Sequence, residues 1–364
     1  MRFSINQNEL QNALTIVQKG ISTRSTLPVL AGVLVDACDD QVTFETTDME
    51  LSIRYTTNAL VEEEGKAVIP GKLINDIVKN LPDAAVHVES SDLESIITCE
   101  SSSFSIKGLD PRDFPGFPTV EANQSITIPF ETFSSMARKV CRAVSKDESR
   151  IILTGVLVVV EDGTLKMVAT DSYRLALTEA QLEGTVDDFS AVISGSFMSD
   201  LAALPKTGED ITLSLAENQI IVSYHGTTFV NRRIEGKYPN YKQLLPSSYE
   251  TRCVSSKSAL IAAVKRASLL DHSGSQVRFS INSPSQTIQL SATSQDVGST
   301  QETIKAQIEG QDVEIGFNSY YVLEGLNAMD SDEVALEIQT SLKPGILRGS
   351  DEEKYLYLVM PVRI

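Results

Sequence analysis

The residues with the clearest chemical potential lie in Val168-Ala169-Thr170-Asp171-Ser172-Tyr173-Arg174-Leu175-Ala176-Leu177, where Asp171 could serve as a catalytic carboxylate. The same Thr-Asp pair stands 123 residues earlier at Thr47-Asp48, and a further step of 123 reaches Thr293-Ser294, without the carboxylate. A position that repeats with the fold is structural before it is catalytic. Thr and Asp here read first as turn residues, whose short side chains accept hydrogen bonds from nearby backbone amides. His87, His225 and His272 are far apart, and none stands at ligand spacing to a Cys, Asp or Glu cluster. No Gly-rich loop leads a strand into a helix with Lys-Ser/Thr, and no serine sits in a nucleophile elbow. The chain is therefore expected to be non-catalytic, with no metal and no cofactor.

The cations suggest a different chemistry, the neutralisation of phosphate. Arg138, Arg142 and Lys146 follow at steps of four, opposite an apolar face, with Lys139 adjacent and Arg150 just beyond. An equivalent stretch has Lys257, Lys265 and Arg266, and the first third of the chain has Arg24, Lys72 and Lys79. Any one such helix is ordinarily a solvated charged face. Together they form a pattern, because the acidic excess falls elsewhere, in Glu62-Glu63-Glu64, Asp187-Asp188 and Asp351-Glu352-Glu353. A net charge of −18, taken as a sum, argues against a polyanionic partner. Distribution matters more. Helices facing one way in a closed ring would give a positive hole and a negative rim, touching DNA phosphates without reading bases. Asp200 and Glu324, on helices without Lys or Arg, work against a uniform lining.

A repeated framework must hold these residues. Leu30-Ala31-Gly32-Val33-Leu34-Val35 leads to Thr47-Asp48 as Leu153-Thr154-Gly155-Val156-Leu157-Val158 leads to Thr170-Asp171, and Ile288-Gln289-Leu290-Ser291-Ala292 leads to Thr293. Three equally spaced copies mark an internal triplication. Each copy begins with an alternating strand followed by a helical period. The apolar faces are Leu10, Ala13, Leu14 and Val17; Phe133, Met136, Ala137, Val140, Cys141 and Val144; and Leu260, Ala263, Val264 and Ala267. Hairpin signals follow at Asp39-Asp40, Glu161-Asp162-Gly163 and Ser283-Pro284-Ser285. A second helix is expected over Lys72–Leu81, Ser196–Leu204 and Ser319–Met329. The fold class is α+β, three tandem two-helix, roughly eight-strand domains at 1–121, 122–247 and 248–364, with helices packed on antiparallel sheet. Neither terminal copy looks like the polar cap a repeat array needs. Closure with a second chain, as a head-to-tail dimeric ring, would satisfy both ends.

Composition agrees. A length of 364 exceeds what one core holds, and 41% hydrophobic with 22% charged residues is ordinary for a soluble globular protein. Cys38, Cys99, Cys141 and Cys253 show neither metal-like nor paired spacing and read as free thiols of a reducing cytoplasm. The chain opens on Arg2-Phe3-Ser4-Ile5 without an apolar leader, and no run approaches the roughly 18 apolar residues of a membrane span. A cytoplasmic protein with no membrane partner is expected. The alternative is a β-rich repeat protein, non-catalytic or carbohydrate-active. Carbohydrate chemistry predicts aromatic platforms and paired carboxylates, but the chain has no Trp and 6% aromatics.

Several runs carry a family resemblance from end to end. They are Thr26-Leu27-Pro28-Val29-Leu30, Thr47-Asp48-Met49-Glu50, Asp113-Phe114-Pro115, Val168 to Leu175, Tyr238-Pro239-Asn240-Tyr241, Glu314-Ile315-Gly316-Phe317-Asn318 and the terminal Val359-Met360-Pro361-Val362-Arg363-Ile364. They resemble the signatures of the bacterial sliding clamps, the beta subunit family of DNA polymerase III. The resemblance implies a homodimeric ring of six similar domains around duplex DNA, opened by an ATP-driven clamp loader, which tethers the replicative polymerase for processivity. It also implies a hydrophobic pocket between the second and third domains that takes short linear motifs of polymerases, the loader and repair proteins. By position the pocket would comprise Leu153, Thr170, Ser172, Tyr173, Arg174, Leu175, Pro239, Leu244, Val359, Met360, Pro361 and Val362. Ser172-Tyr173 departs from the Gly-His frequent there in the family, and copy 1 has Met49-Glu50-Leu51 at the matching place, which points to a role private to copy 2. The dimer joint would set Lys72, Phe104 and Ile106 of one chain against Leu269, Leu270, Asp296 and Glu302 of the other. DNA contact would fall to Arg24 and, by location, to Lys72, Lys79, Arg138, Arg142, Lys146, Arg150, Lys265 and Arg266.

Overall fold

The computed structural model describes residues 1–22, 26–183, 188–270, 276–294, 298–351 and 354–363. Arg24, Asp187, His272, Asp296, Glu352, Glu353 and Ile364 lie outside the described residues.

Copy 1 runs β1 (Arg2–Asn6), α1 (Gln7–Val17), β2 (Gly32–Cys38), β3 (Gln41–Thr47), β4 (Leu51–Asn58) and β5 (Leu60–Glu63). It continues with β6 (Gly65–Pro70), α2 (Gly71–Lys79), β7 (Ala85–Ser91), β8 (Glu94–Cys99) and β9 (Ser102–Lys107). Copy 2 runs β10 (Gln124–Pro129), α3 (Phe130–Val140), β11 (Gly155–Glu161), β12 (Thr164–Thr170) and β13 (Arg174–Gln181). Then come β14 (Phe189–Ser194), α4 (Gly195–Ala202), β15 (Asp210–Leu215), β16 (Gln219–Tyr224) and β17 (Thr227–Arg232). Copy 3 runs β18 (Thr251–Ser256), α5 (Lys257–Ala267), β19 (Gln276–Asn282), β20 (Thr287–Ser294), β21 (Gly298–Lys305) and β22 (Gln307–Gly310). It ends with β23 (Val313–Asn318), α6 (Ser319–Ala328), β24 (Glu333–Ile338), β25 (Gly345–Gly349), β26 (Tyr355–Val359) and β27 (Pro361–Val362).

Helices form where the apolar period says they should. Leu10, Ala13, Leu14 and Val17 are the buried face of α1, and Asn6 caps it by accepting from the Asn8 amide at 2.9 Å. Asn318 caps α6 in the same way, accepting from the Tyr321 amide at 3.2 Å. The helix of copy 2 stops earlier than its apolar pattern suggests. After Val140 the chain tightens into a single 3-10 turn, Cys141–Ala143, and Val144 is already extended. Arg142 and Lys146 therefore do not continue one helical stripe with Arg138.

The strands build four antiparallel sheets, in the orders β5-β1-β7-β8-β9, β10-β15-β16-β17-β4-β3-β2-β6, β14-β11-β12-β13-β26-β25-β24-β18-β22 and β21-β20-β19-β23-β27. Each long sheet fuses two copies. β17 of copy 2 pairs with β4 of copy 1, from Leu51↔Asn231 to Tyr55↔Thr227. β26 of copy 3 pairs with β13 of copy 2, from Arg174↔Val359 to Thr178↔Tyr355. Leu51 and Arg174 are equivalent positions of the repeat, so both joints share one register. The corresponding strands β9 and β21 are edges. The chain forms two compact units, Met1–Glu131 with Ala203–Arg233 and Thr132–Ala202 with Ile234–Ile364, so copy 2 contributes to both.

Two glycines at one repeat position make the close strand approach possible. A Cβ on Gly32 would meet Val68 Cγ1 at 2.4 Å, and one on Gly155 would meet Val192 Cγ1 at 2.4 Å. Both lie at the start of the middle strand, beside the strand that feeds the second helix. Gly155→Ala is expected to lower stability by about 1–3 kcal/mol through overpacking. An unshifted urea midpoint would show that β11 and β14 can part at no cost.

Candidate functional site

The Thr-Asp pair closes the turn between β12 and β13. Asp171 Oδ1 accepts from the amides of Tyr173 at 2.9 Å and Arg174 at 3.0 Å, and Thr170 Oγ1 accepts from the Ser172 amide at 3.1 Å. Copy 1 repeats this arrangement, with Asp48 accepting from Glu50 and Leu51 and Thr47 accepting from Met49. The turn forces a left-handed residue, Ser172 at φ 78° and Met49 at φ 77°. That region costs an L side chain roughly 1 kcal/mol and favours glycine. Asp171 is thus occupied as a turn former.

It is also half of a buried ion pair. Arg174 Nε lies 3.0 Å from Asp171 Oδ2, and Arg174 Nη1 donates to the Tyr357 hydroxyl at 3.2 Å. The Tyr321 ring lies 4.6 Å from the guanidinium and the Tyr320 ring 5.6 Å, both within cation–π range. Burial pushes the Tyr357 phenol up, so it remains a neutral partner at physiological pH. Tyr173 stacks on Tyr321 at 6.3 Å and is 58% exposed. The Tyr173 carbonyl accepts from the Met360 amide at 2.8 Å, which ties the turn to the end of β26.

Below the turn lies an apolar cluster of Leu157, Val168, Leu175, Leu177, Leu356 and Leu358 with their neighbours. The connector after β17 crosses it. Tyr238, Tyr241 and Leu245 pack onto the cluster, as does Met360, while Leu244 stays 43% exposed. Register and chain proximity therefore bring together Thr170, Ser172, Tyr173, Arg174, Leu175, Val359 and Met360. Pro361 and Val362 continue from there as β27 and pair with β23. Pro239 sits between Tyr238 and Tyr241, and Leu153 is buried just before β11. Leu153, Thr170, Arg174, Leu175 and Val359 are buried. Ser172, Tyr173, Leu244 and Pro239 are exposed, and Met360, Pro361 and Val362 are half-buried.

Several contributors escaped the sequence reading. Arg150, expected at DNA, donates to Ser172 Oγ at 2.9 Å and to the Asp171 carbonyl at 3.5 Å, bracing the same turn. Tyr320, Tyr321 and Tyr357 come from copy 3, and only the family's Asn318 signature hinted at the place. Among the other expected DNA contacts, Arg138 donates to the Ala202 carbonyl that ends α4, and Arg142 lies 3.5 Å from Glu324. Arg266 makes a bidentate pair with Glu302 at 2.9 and 2.7 Å, which holds that carboxyl below its usual range. Lys72, Lys79, Lys146 and Lys265 are exposed without an ion pair among the described residues. Of the expected joint residues, Phe104 is 38% exposed on β9 and Leu269 is 71% exposed in the turn Ser268–Leu270, whereas Ile106 is buried. Cys38, Asp39 and Glu64 are the grouping of possible metal ligands among the described residues. All three are exposed, and hydrogen bonding to Asp39 pushes the thiol up to about 11.

Family models for the DNA polymerase III beta subunit match the chain throughout, the N-terminal domain at residues 1–118, the central domain at 127–240 and the C-terminal domain at 242–363. The chain is 33% identical to the beta sliding clamp of Staphylococcus epidermidis over 374 aligned positions, covering 100% of this chain and 99% of that protein. It is 32% identical to the beta sliding clamp of Staphylococcus aureus with the same coverage. Its structure is similar to the DNA polymerase sliding clamp of Bacillus subtilis, with a TM-score of 0.95, 30% identity and coverage of 100% of this chain and 99% of the other.

Removing Arg174 would leave Asp171 buried without its charge partner. Arg174→Met is expected to cost about 3 kcal/mol in urea unfolding. A loss below about 1 kcal/mol would mean that the turn amides alone satisfy the carboxylate.

Proposed function

The chain belongs to the DNA polymerase III beta subunit family, and we propose that it acts as a non-catalytic sliding clamp. Two copies close head to tail around duplex DNA, and the ring tethers the replicative polymerase. One observation carries the ring. The two joints between copies share a register, and the strands that would make a third such joint, β9 and β21, are both open edges. Following that register, Phe104 of one protomer would lie opposite Thr300 of its partner, as Phe229 lies opposite Ile53 and Tyr357 opposite Ala176. Phe104 and Leu269 would supply apolar centre to the contact, and the Arg266–Glu302 pair its charged rim.

Lys72, Lys79, Lys146 and Lys265 are the cations best placed to meet phosphates, since the arginines nearby already hold internal acceptors. Such contacts are independent of sequence and weaken steeply with salt. The groove over Tyr173, Leu244 and Met360 would receive short linear motifs of the polymerase, the clamp loader and repair proteins, with apolar side chains anchored beside a polar rim. The protein would work in the cytoplasm; no described helix is long and apolar enough to cross a membrane.

Three outcomes test this reading. Ser103→Cys combined with Gln301→Cys should give an oxidised, covalently closed dimer, whereas Ser103→Cys with Glu302→Cys, one residue out of register, should not; equal yields would refute the joint. Loaded onto nicked circular DNA, the protein should be retained until the circle is cut and then run off. Retention after cutting would mean an ordinary surface interaction. Met360→Ala with Leu244→Ala should weaken polymerase binding at least tenfold while the dimer persists. Leu175 is less suitable for this purpose, because it is wholly buried and its truncation costs about 2–5 kcal/mol.

A further inference from the structure

A separate concavity begins where the candidate groove ends. Two residues after Leu244 the connector reaches Pro246, and Pro246 and Tyr249 form one side of a cleft of about 250 Å³. Glu337, Gln339 and Arg348, from β25 and the end of β24, form the other side. The Glu250 amide donates to the Ile338 carbonyl at 3.0 Å, which pins the far end of the connector to β24 and holds the cleft open between two fixed walls.

The wall on the sheet has more guanidinium donors than its own acceptors use. Arg348 Nε lies 3.3 Å from Glu337 Oε2, and Arg252 Nε lies 3.6 Å from Glu337 Oε1. One carboxylate is shared by two guanidiniums. No terminal nitrogen of either arginine has a hydrogen-bond acceptor among the described residues. Lys343 adds a third cation, its Nζ donating to Gln339 Oε1 at 2.9 Å. The other carboxylates of the row are Glu309, opposite Arg252 across β18 and β22, and Glu250, which follows Tyr249. Arg252, Arg348 and Lys343 thus balance Glu337, Glu309 and Glu250 in a chain whose net charge is −18, and the terminal nitrogens of both arginines are left to donate.

We propose that this cleft receives a carboxylate side chain of the same peptide whose apolar residues dock on Tyr173, Leu244 and Met360. The inference rests on the docking function proposed above and gives it a charge preference. Leu244 and Pro246 are at most about 7 Å apart along the chain, so the two sites are continuous. An extended peptide advances about 3.3 Å per residue and would bring an acidic residue to Arg348 roughly three to five positions from its Leu244 anchor. The free guanidinium edge offers the paired donors that fit a carboxylate, and the Tyr249 ring and Pro246 reduce competition from water.

The probe is a twelve-residue peptide chosen from a random display library on the intact protein, and retained only if Met360→Ala with Leu244→Ala abolishes its binding. Variants of that peptide carry a single Asp at each position flanking the apolar anchors, on both sides, and are compared by fluorescence polarisation. Asp at one position, three to five residues from the anchor, should tighten binding about tenfold, and 0.5 M salt should remove most of that gain. Arg348→Gln with Lys343→Gln should abolish the gain while leaving the affinity of the parent peptide unchanged, which also certifies the fold. No gain at any position, or a gain that survives the double substitution, overturns the proposal while the docking groove stands. A library that yields no peptide dependent on Met360 and Leu244 overturns the docking function itself, and this inference with it.

Discussion

Where β4 meets β17 and β13 meets β26, main-chain ladders join one copy of the repeat to the next, at the same register both times. Strand pairing of this kind is indifferent to most side chains, so it tolerates the divergence seen between copies. It does demand that the strand following the Thr-Asp turn start in a fixed place, because a slip of one residue would turn every side chain to the wrong face. The amide hydrogen bonds that Asp171 and Asp48 accept set that starting point. The pair stands in both copies whose strand after the turn enters a joint within the chain, β4 in copy 1 and β13 in copy 2.

The two joints share a backbone but not a surface. In copy 2 the sheet face carries Val168 and Leu177, both in the apolar cluster that the connector covers. At the same repeat positions copy 1 has Glu45 and Arg54, paired at 2.7 Å, with the Phe117 ring 4.0 Å from the guanidinium. Glu50 and Arg232, 3.5 Å apart, stand where copy 2 has Tyr173 and Met360. An apolar side chain arriving at the copy 1 joint would have to desolvate these charges with nothing to replace their partners. The chemistry of four positions, with no change of fold, makes the copy 2 joint apolar where the copy 1 joint is charged.

Much of this architecture could be read from the residues alone. The helix faces follow from the 3.6-residue period, the hairpins from Asp39-Asp40 and Asp162-Gly163, and the turn from Thr-Asp. The end of α3 could not, because Cys141 and Val144 prolong the apolar period while the backbone has already tightened and left the helix. Arg150 looked like one more cation in a basic stretch because spacing does not reveal that the chain doubles back to Ser172. The aromatic surroundings of Arg174 depend on residues some 150 to 180 positions away, brought in by the β13–β26 ladder, and no local pattern announces a contact of that range. Arg174 itself read as one polar residue among several, although it is among the most deeply buried charges described.

The open strands have a bearing on life as a single chain. β9 and β21 present unpaired main-chain donors and acceptors, the surface on which strands of unrelated proteins also stick. Their sequences are unusually hydrophilic for a sheet: β9 is Ser102-Ser103-Phe104-Ser105-Ile106-Lys107, and β21 is Gly298-Ser299-Thr300-Gln301-Glu302-Thr303-Ile304-Lys305. Serine, threonine and flanking charge keep such an edge wet and discourage promiscuous zippering. The price is a weaker grip on any strand that pairs there, so an edge made safe for solitude is also an edge that can be prised apart.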